Sequence, residues 1–560
     1  MKKENHRCVS ILRRVLCVIV MLAMLVSLTA CLRLSDLEGL FESSSSSSNK
    51  KPSNTTGTVG IQKNETLDLE YALTQADVDA FYDLLEELEA VSLIGEDLDT
   101  IDALSAELEE LLTYLDAQSS IAALYHYSHT LDEALEEQYL DCVEICTQAS
   151  DAYIQMVKRV YLSDTPAKDY LFADWTEQDI ADLLAYDEQI AQLQQRNAEI
   201  AVEYRTSEDD ALKISLYIEM VNNNNTIAQI YGYDNYYVYA YRNVYGRDYD
   251  QEDVAQLREY AQEYLVDLYY TSLMNFYNTY SGLSAKNQAV LENFLYSDFD
   301  TLSQDYVQLY IQSLDGSMGE SLQNMVENDS FFTDADDAEA GAFTTTIGER
   351  CFCFFGPGYA NSMTVVHEGG HYYAGSYSDL NMIPMDLAEL HSQGNEWLFA
   401  SFLDEHMPGK LYDALVNYKI YENISMILVC LMVDQFEEYI YTNDLTDFTA
   451  GNMNWIMDMV ALDYFPDGDV KEMLTDMNAY WRLVVVEQPV YYISYAVSAI
   501  AAISLYTMAE EDYEHAMGVY QTLCEDMDLE AGFLGNIDSA GLISPFDERF
   551  YQKLERIVNS

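Results

Sequence analysis

The stretch Val365-Val366-His367-Glu368-Gly369-Gly370-His371 constrains this chain more than any other. It reads H-E-x-x-H. On a helix, His367 and His371 stand one turn apart on the same face. Two neutral imidazoles at that spacing can share one zinc ion, and Glu368 between them can reach a water on the metal. Such a site needs a third protein ligand, so the fold has to bring one in from elsewhere. Each of the two glycines costs a helix about 1 kcal/mol relative to alanine. They fit a helix that a neighbouring strand or a substrate approaches closely.

The next segment able to supply a ligand is Asp386-Leu387-Ala388-Glu389-Leu390-His391-Ser392-Gln393-Gly394-Asn395-Glu396-Trp397. Glu389 on a second helix would complete a His2Glu set that leaves one position for water. Asp386, His391 and Glu396 are rivals on sequence alone. Asp386, Ser392 or Glu396 could instead orient a ligand histidine from behind. Just before the motif, Gly348 to Gly356 is short, aromatic and bounded by glycine. Its alternation predicts a strand with Cys351 and Cys353 on one face and Phe352 and Phe354 on the other. The edge of such a strand could take an extended peptide as an added strand.

Elsewhere the pattern is helical, and the chain has only 8 prolines to interrupt it. Thr74 with Asp77, and Thr176 with Asp179, make capping-box starts ahead of apolar residues at helical spacing. His126 and His129 lack a partner at ligand spacing and read as core or surface histidines. A formal charge of −69 argues against nucleic-acid binding, because phosphate contacts need Lys and Arg.

The N-terminus carries Lys2, Lys3, Arg7, Arg13 and Arg14, then an apolar run from Val15 to Ala30 that is short for a membrane span. It ends in Leu28-Thr29-Ala30-Cys31, which resembles the lipobox of bacterial lipoproteins. That resemblance implies a signal peptide over 1–30 and a diacylated Cys31, with the chain anchored to the outer face of a bacterial membrane. Residues 31–62, with Ser43 to Ser48, read as a polar linker. The remaining cysteines are too sparse for a disulfide scaffold. A lobe boundary is expected near residue 205, giving an N-terminal helical lobe over 63–205 and a catalytic domain over 206–560.

Taken together, Gly341-Ala342-Phe343, His367-Glu368-x-Gly370-His371 and Glu389-x-x-Ser392-Gln393-x-x-Glu396-Trp397 resemble the thimet oligopeptidase family of zinc peptidases, and in particular its oligoendopeptidase F branch. The resemblance spans roughly residues 65–560. It implies a mainly α, two-lobed, zincin-type metallopeptidase with a deep central channel and a small β-sheet beside the zinc helix. It also implies one Zn2+ on His367, His371 and Glu389, Glu368 as general base, and short peptides as substrates. The segment Gln488-Pro489-Val490-Tyr491-Tyr492-Ile493-Ser494-Tyr495 resembles the family's tyrosine-rich wall. By that resemblance Tyr492 and Tyr495 are the oxyanion donors and Tyr491 touches substrate. The chain departs from the pattern at Gly369, where a larger apolar residue is usual, and in a shorter spacing from His371 to Glu389. It also has no histidine in Leu483-Val484-Val485-Val486-Glu487. The expected function is zinc-dependent hydrolysis of short peptides. A peptide-binding lipoprotein with weak or no catalysis, and a surface protein with a fortuitous motif, are the alternatives.

Overall fold

The computed structural model describes residues 69–559 except 174, 297–300, 334, 336, 340, 349, 444, 446–448 and 467–479. The expected signal peptide, Cys31 and the Ser-rich linker lie outside the described residues.

The chain folds as a mainly helical body with one small sheet. Its first helices are α1 (Gln75–Ile94), α2 (Leu98–Ser128) and α3 (Glu133–Leu162). Thr74 caps α1 with Asp77 in the reciprocal arrangement that the sequence predicts, and Thr176 with Asp179 caps a later helix the same way. Both boxes satisfy backbone donors that have no partner inside the helix. Helices α4 (Glu188–Thr206) and α5 (Asp210–Ile230) follow and pack along one another. Residue 205 sits at the end of α4, where Arg205 is ion-paired with both Glu339 and Glu487.

Three strands come next: β1 (Ser330–Phe332), β2 (Ala342–Ile347) and β3 (Arg350–Phe355). The expected strand forms, but in the middle of the sheet. β1 pairs with it in parallel and β2 antiparallel, with Phe331 and Phe343 both opposite Phe354. Both edges of β3 are therefore used, and β2, not β3, borders the sheet on the hairpin side. The alternation holds. Phe343, Phe352 and Phe354 pack with Leu124, Tyr127 and Tyr139 of α2 and α3, whereas Cys351 and Cys353 belong to the core around the histidine helix.

That helix is α6 (Ser362–Gly375), and α7 (Met385–Phe402) crosses it. Asn361 caps α6 through its side chain. α8 (Gly409–Thr442) is long and apolar enough for a membrane span, but 78% of its most apolar window is buried, as in the central helix of a packed core. α9 (Tyr480–Glu487) and α10 (Ile493–Ala509) complete the surroundings, with α10 packed on α7 and α8.

Gly370 is where α6 and α7 meet. A Cβ on it would lie 2.4 Å from His391 O and 2.6 Å from Ser392 Cα. The partner that needs this glycine is thus a second helix, not a strand or a substrate. Gly369 faces a softer neighbour, the Leu322 side chain, whose Cδ2 would be 2.9 Å from an added Cβ. Gly370→Ala is expected to push the two helices apart at a cost of about 1–3 kcal/mol. Gly369→Ala should stay near wild type, because Leu322 can yield and helix propensity improves. Thermal unfolding of the two variants checks this, and equal shifts would contradict it.

Candidate metal centre

The crossing at Gly370 sets Glu389 opposite the two histidines. The carboxylate Oε2 is 3.8 Å from His367 Nε2 and 3.9 Å from His371 Nε2. All three side chains are buried, and one ligand atom from each lies within 4.8 Å of the others. Zinc ligands at about 2.0–2.2 Å in a tetrahedral array sit roughly 3.3–3.6 Å apart, so the two carboxylate-to-imidazole separations exceed that spacing by only a few tenths of an ångström. His367 Nε2 is buried with no hydrogen-bond partner. Leaving such an atom unpaired costs about 1–3 kcal/mol, which a cation in this position would offset. Two imidazoles and a carboxylate are a donor set that fits zinc.

The far sides of His367 and Glu389 are held. His367 Nδ1 lies 2.5 Å from Glu396 Oε1, and Lys419 Nζ is 2.5 Å from the other oxygen of Glu396. A proton on Nδ1 directs the Nε2 lone pair at the cluster. Glu389 Oε1 accepts a hydrogen bond from the Tyr491 hydroxyl. Ser392 Oγ donates to the Glu389 carbonyl at 3.0 Å and lies 3.3 Å from Oε2. Asn395 Nδ2 donates to Val366 O at 2.7 Å, tying α7 to α6. Glu368 is wholly buried, and Thr344 Oγ1 on β2 donates to its Oε2 at 2.7 Å.

These contacts separate the rivals. His391 Nε2 is 3.1 Å from Leu523 O, away from the cluster. Asp386 faces Arg247 at 3.7 Å. Glu396 stands behind His367. Glu389 alone among the four joins the histidine pair. Of the tyrosines, Tyr491 donates its hydroxyl to Glu389 Oε1. Tyr495 packs edge-on against Tyr491 at 4.9 Å, and Tyr492 is fully buried at the start of α10. His126 stacks on Tyr139, and His129 lies 3.3 Å from Asp337, so each ring is engaged with residues outside the cluster.

The buried charges shape the protonation of the cluster. Burial opposes a charge on His367, yet Glu396, with Glu368 and Glu389 nearby, outweighs it and raises the imidazolium to about 9. Burial pushes Glu389 up to about 7, against the pull of His367 and Tyr491. Burial and the facing His367 drive His371 well below its usual range. Burial works against the Glu396 carboxylate too, but Lys419 and His367 hold it down at about 2.

Thr344, Lys419 and Tyr491's bond to Glu389 are contributions that sequence reasoning missed. Thr344 directly follows Gly341-Ala342-Phe343, a usable signal. Lys419 lies in a long helix among many similar positions and carries none.

No protein-family model matches this chain, and no curated protein does. Solved structures do. A structure of PZ peptidase A with an inhibitor superimposes with a TM-score of 0.68 at 17% identity, covering 88% of this chain and 98% of that one. A protein from Bacillus anthracis str. Ames, described as an oligoendopeptidase F, gives 0.66 at 16% identity over 89% and 98%. Another structure described as oligoendopeptidase F gives 0.66 at 18% over 88% and 98%. At this level of identity the likeness is one of fold: the chain has the mainly helical fold of the oligoendopeptidase F and PZ peptidase structures, along nearly their whole length.

Proposed function

We propose that this protein is a zinc-dependent oligopeptidase that hydrolyses peptide bonds in short peptides. The observation that carries this reading is the buried His367–His371–Glu389 set, with the partnerless His367 Nε2 turned into it and Glu368 alongside. The shared fold supports it.

His367, His371 and Glu389 would hold the metal. When bound, zinc supplies Lewis acidity for a scissile carbonyl and acidifies a water. Glu368 takes the proton from the attacking water and returns it to the leaving amine. Thr344 fixes one oxygen of that carboxylate and so sets its orientation. Glu396 and Lys419 hold His367 in the ligand tautomer. Tyr492 and Tyr495 are the candidate donors to the developing oxyanion, in a setting where buried dipoles act strongly. β2 pairs on one side only among the described residues, and its other edge suits an extended peptide, which would bind as an added strand. A deep channel between lobes would admit short peptides and exclude folded proteins. Acylation at Cys31 would anchor the enzyme outside the cell through the linker over 31–62.

A second reading, a peptide-binding protein with weak catalysis, draws on one observation. The segment expected to bear a histidine instead ends in Glu487, which is committed to Arg205.

Glu368→Gln is expected to keep zinc and lose at least about 100-fold in peptide cleavage, and Glu389→Ala to lose zinc. Metal analysis and a quenched fluorescent peptide read these. Unchanged hydrolysis in both variants would sink the assignment, and a wild type that binds zinc without cleaving would favour the second reading. Cys31→Ala should move the protein from the membrane fraction to the medium.

A pH effect follows for the metal-free protein. His367 has a folded pKa near 9 against about 6.5 unfolded. Its stabilising contribution is therefore full below about pH 6.5 and is lost as pH rises toward 9. Zinc binding at pH 7.5 should release a proton from this imidazole. Calorimetry in buffers of different ionisation enthalpy checks this; an enthalpy independent of buffer would contradict it.

A further inference from the structure

The turn between α9 and α10 holds a strained residue. Val490 has φ +67°, the one positive value at a non-glycine position among the described residues. A β-branched side chain crowds its own backbone there. Such a conformation persists only where surrounding contacts over-determine it.

Three distant groups do so. Val490 N–H donates to Glu437 Oε1 of α8 at 2.7 Å, and Val490 O accepts from Arg247 Nη2 at 2.8 Å. One residue earlier, Pro489 O accepts from the Tyr245 hydroxyl at 2.7 Å. Arg247 is itself fixed. It donates to Ser494 Oγ at 2.9 Å, faces Asp386 of α7 at 3.7 Å, and lies over the rings of Tyr241 and Tyr245. Arg247 and Glu437 are both buried. The residue that leaves this clamp is Tyr491, whose hydroxyl reaches Glu389.

We propose that Arg247 and Glu437 hold Val490 in the left-handed conformation in order to aim Tyr491 at Glu389, which makes Val490, Arg247 and Glu437 positioning residues for the third metal ligand. A left-handed residue reverses the local direction of the chain; an extended Val490 would send the next side chain elsewhere. With Tyr491 on Oε1, Glu389 presents Oε2 to both imidazoles. Glycine would take the same φ without strain but would also leave it freely. Valine keeps the geometry only while the clamp is closed. The consequence for metal affinity rests on the zinc reading above; the coupling between Val490 and Tyr491 does not.

The test uses the full mature chain with Val490→Gly, Tyr491→Phe and both together. In the metal-free proteins, Tyr491→Phe should lower the melting temperature, and by less than half as much when Val490→Gly is already present. An equal loss in both backgrounds overturns the proposal. In the zinc-loaded proteins, Val490→Gly and Tyr491→Phe should each release zinc to a chelator at least fivefold faster, with Val490→Gly keeping a near wild-type melting temperature. Release at the wild-type rate from Val490→Gly also overturns it. A wild type that takes up no zinc would remove the metal reading, while the metal-free comparison still decides the coupling.

Discussion

The whole site depends on how closely two helices cross. Gly370 of α6 lies against the backbone of His391 and Ser392 in α7, where no Cβ could fit. That approach sets Glu389 opposite His367 and His371, with Glu396 behind His367. Asn395 bridges the crossing: it donates to Val366 O and accepts from the Tyr310 hydroxyl at 2.8 Å. A helix pair separated by even one methyl would move Glu389 out of reach of the imidazoles. The glycine that weakens the isolated helix is thus what allows the centre to form.

Around that crossing the fold buries charge, which is costly unless each ion is paired. This chain has 27 basic residues against 96 acidic ones, and it places some of those few cations inside. Lys419 holds Glu396, Arg247 faces Asp386, and Arg258 pairs with Asp434. Two of these serve the centre directly. Lys419 keeps Glu396 ionised, so that it can orient His367. Arg247 grips the turn that delivers Tyr491, at the expense of a left-handed valine that costs about 1–2 kcal/mol. The acidic surface and the paired interior therefore have separate roles, one in solvation and one in orienting ligands.

Much of this was legible in the chain. The H-E-x-x-H spacing, Glu389 as a candidate, both capping boxes and the alternation of Cys351 to Phe354 all follow from local periodicity. What was not legible depends on contacts between distant segments. The strand at Cys351 reads as a strand, but its central place requires β1, some twenty residues earlier, to pair with it. Lys419 and Thr344 have ordinary local contexts. Nothing in Gln488-Pro489-Val490 announces a positive φ, because valine disfavours it, and the direction of Tyr491 depends on that angle. The choice among Asp386, Glu389, His391 and Glu396 also needed the crossing, since all four lie within three turns of one helix.

The central claim is that a metal on His367, His371 and Glu389 makes this fold a peptidase. Mass spectrometry of a defined peptide mixture incubated with the purified mature chain, with and without a zinc chelator, tests it most directly. The expected result is about one zinc per chain, cleavage of short peptides, loss of cleavage with chelator and its return on adding zinc back. Cleavage that persists in a metal-free preparation, or no cleavage by the zinc-loaded chain, would contradict it.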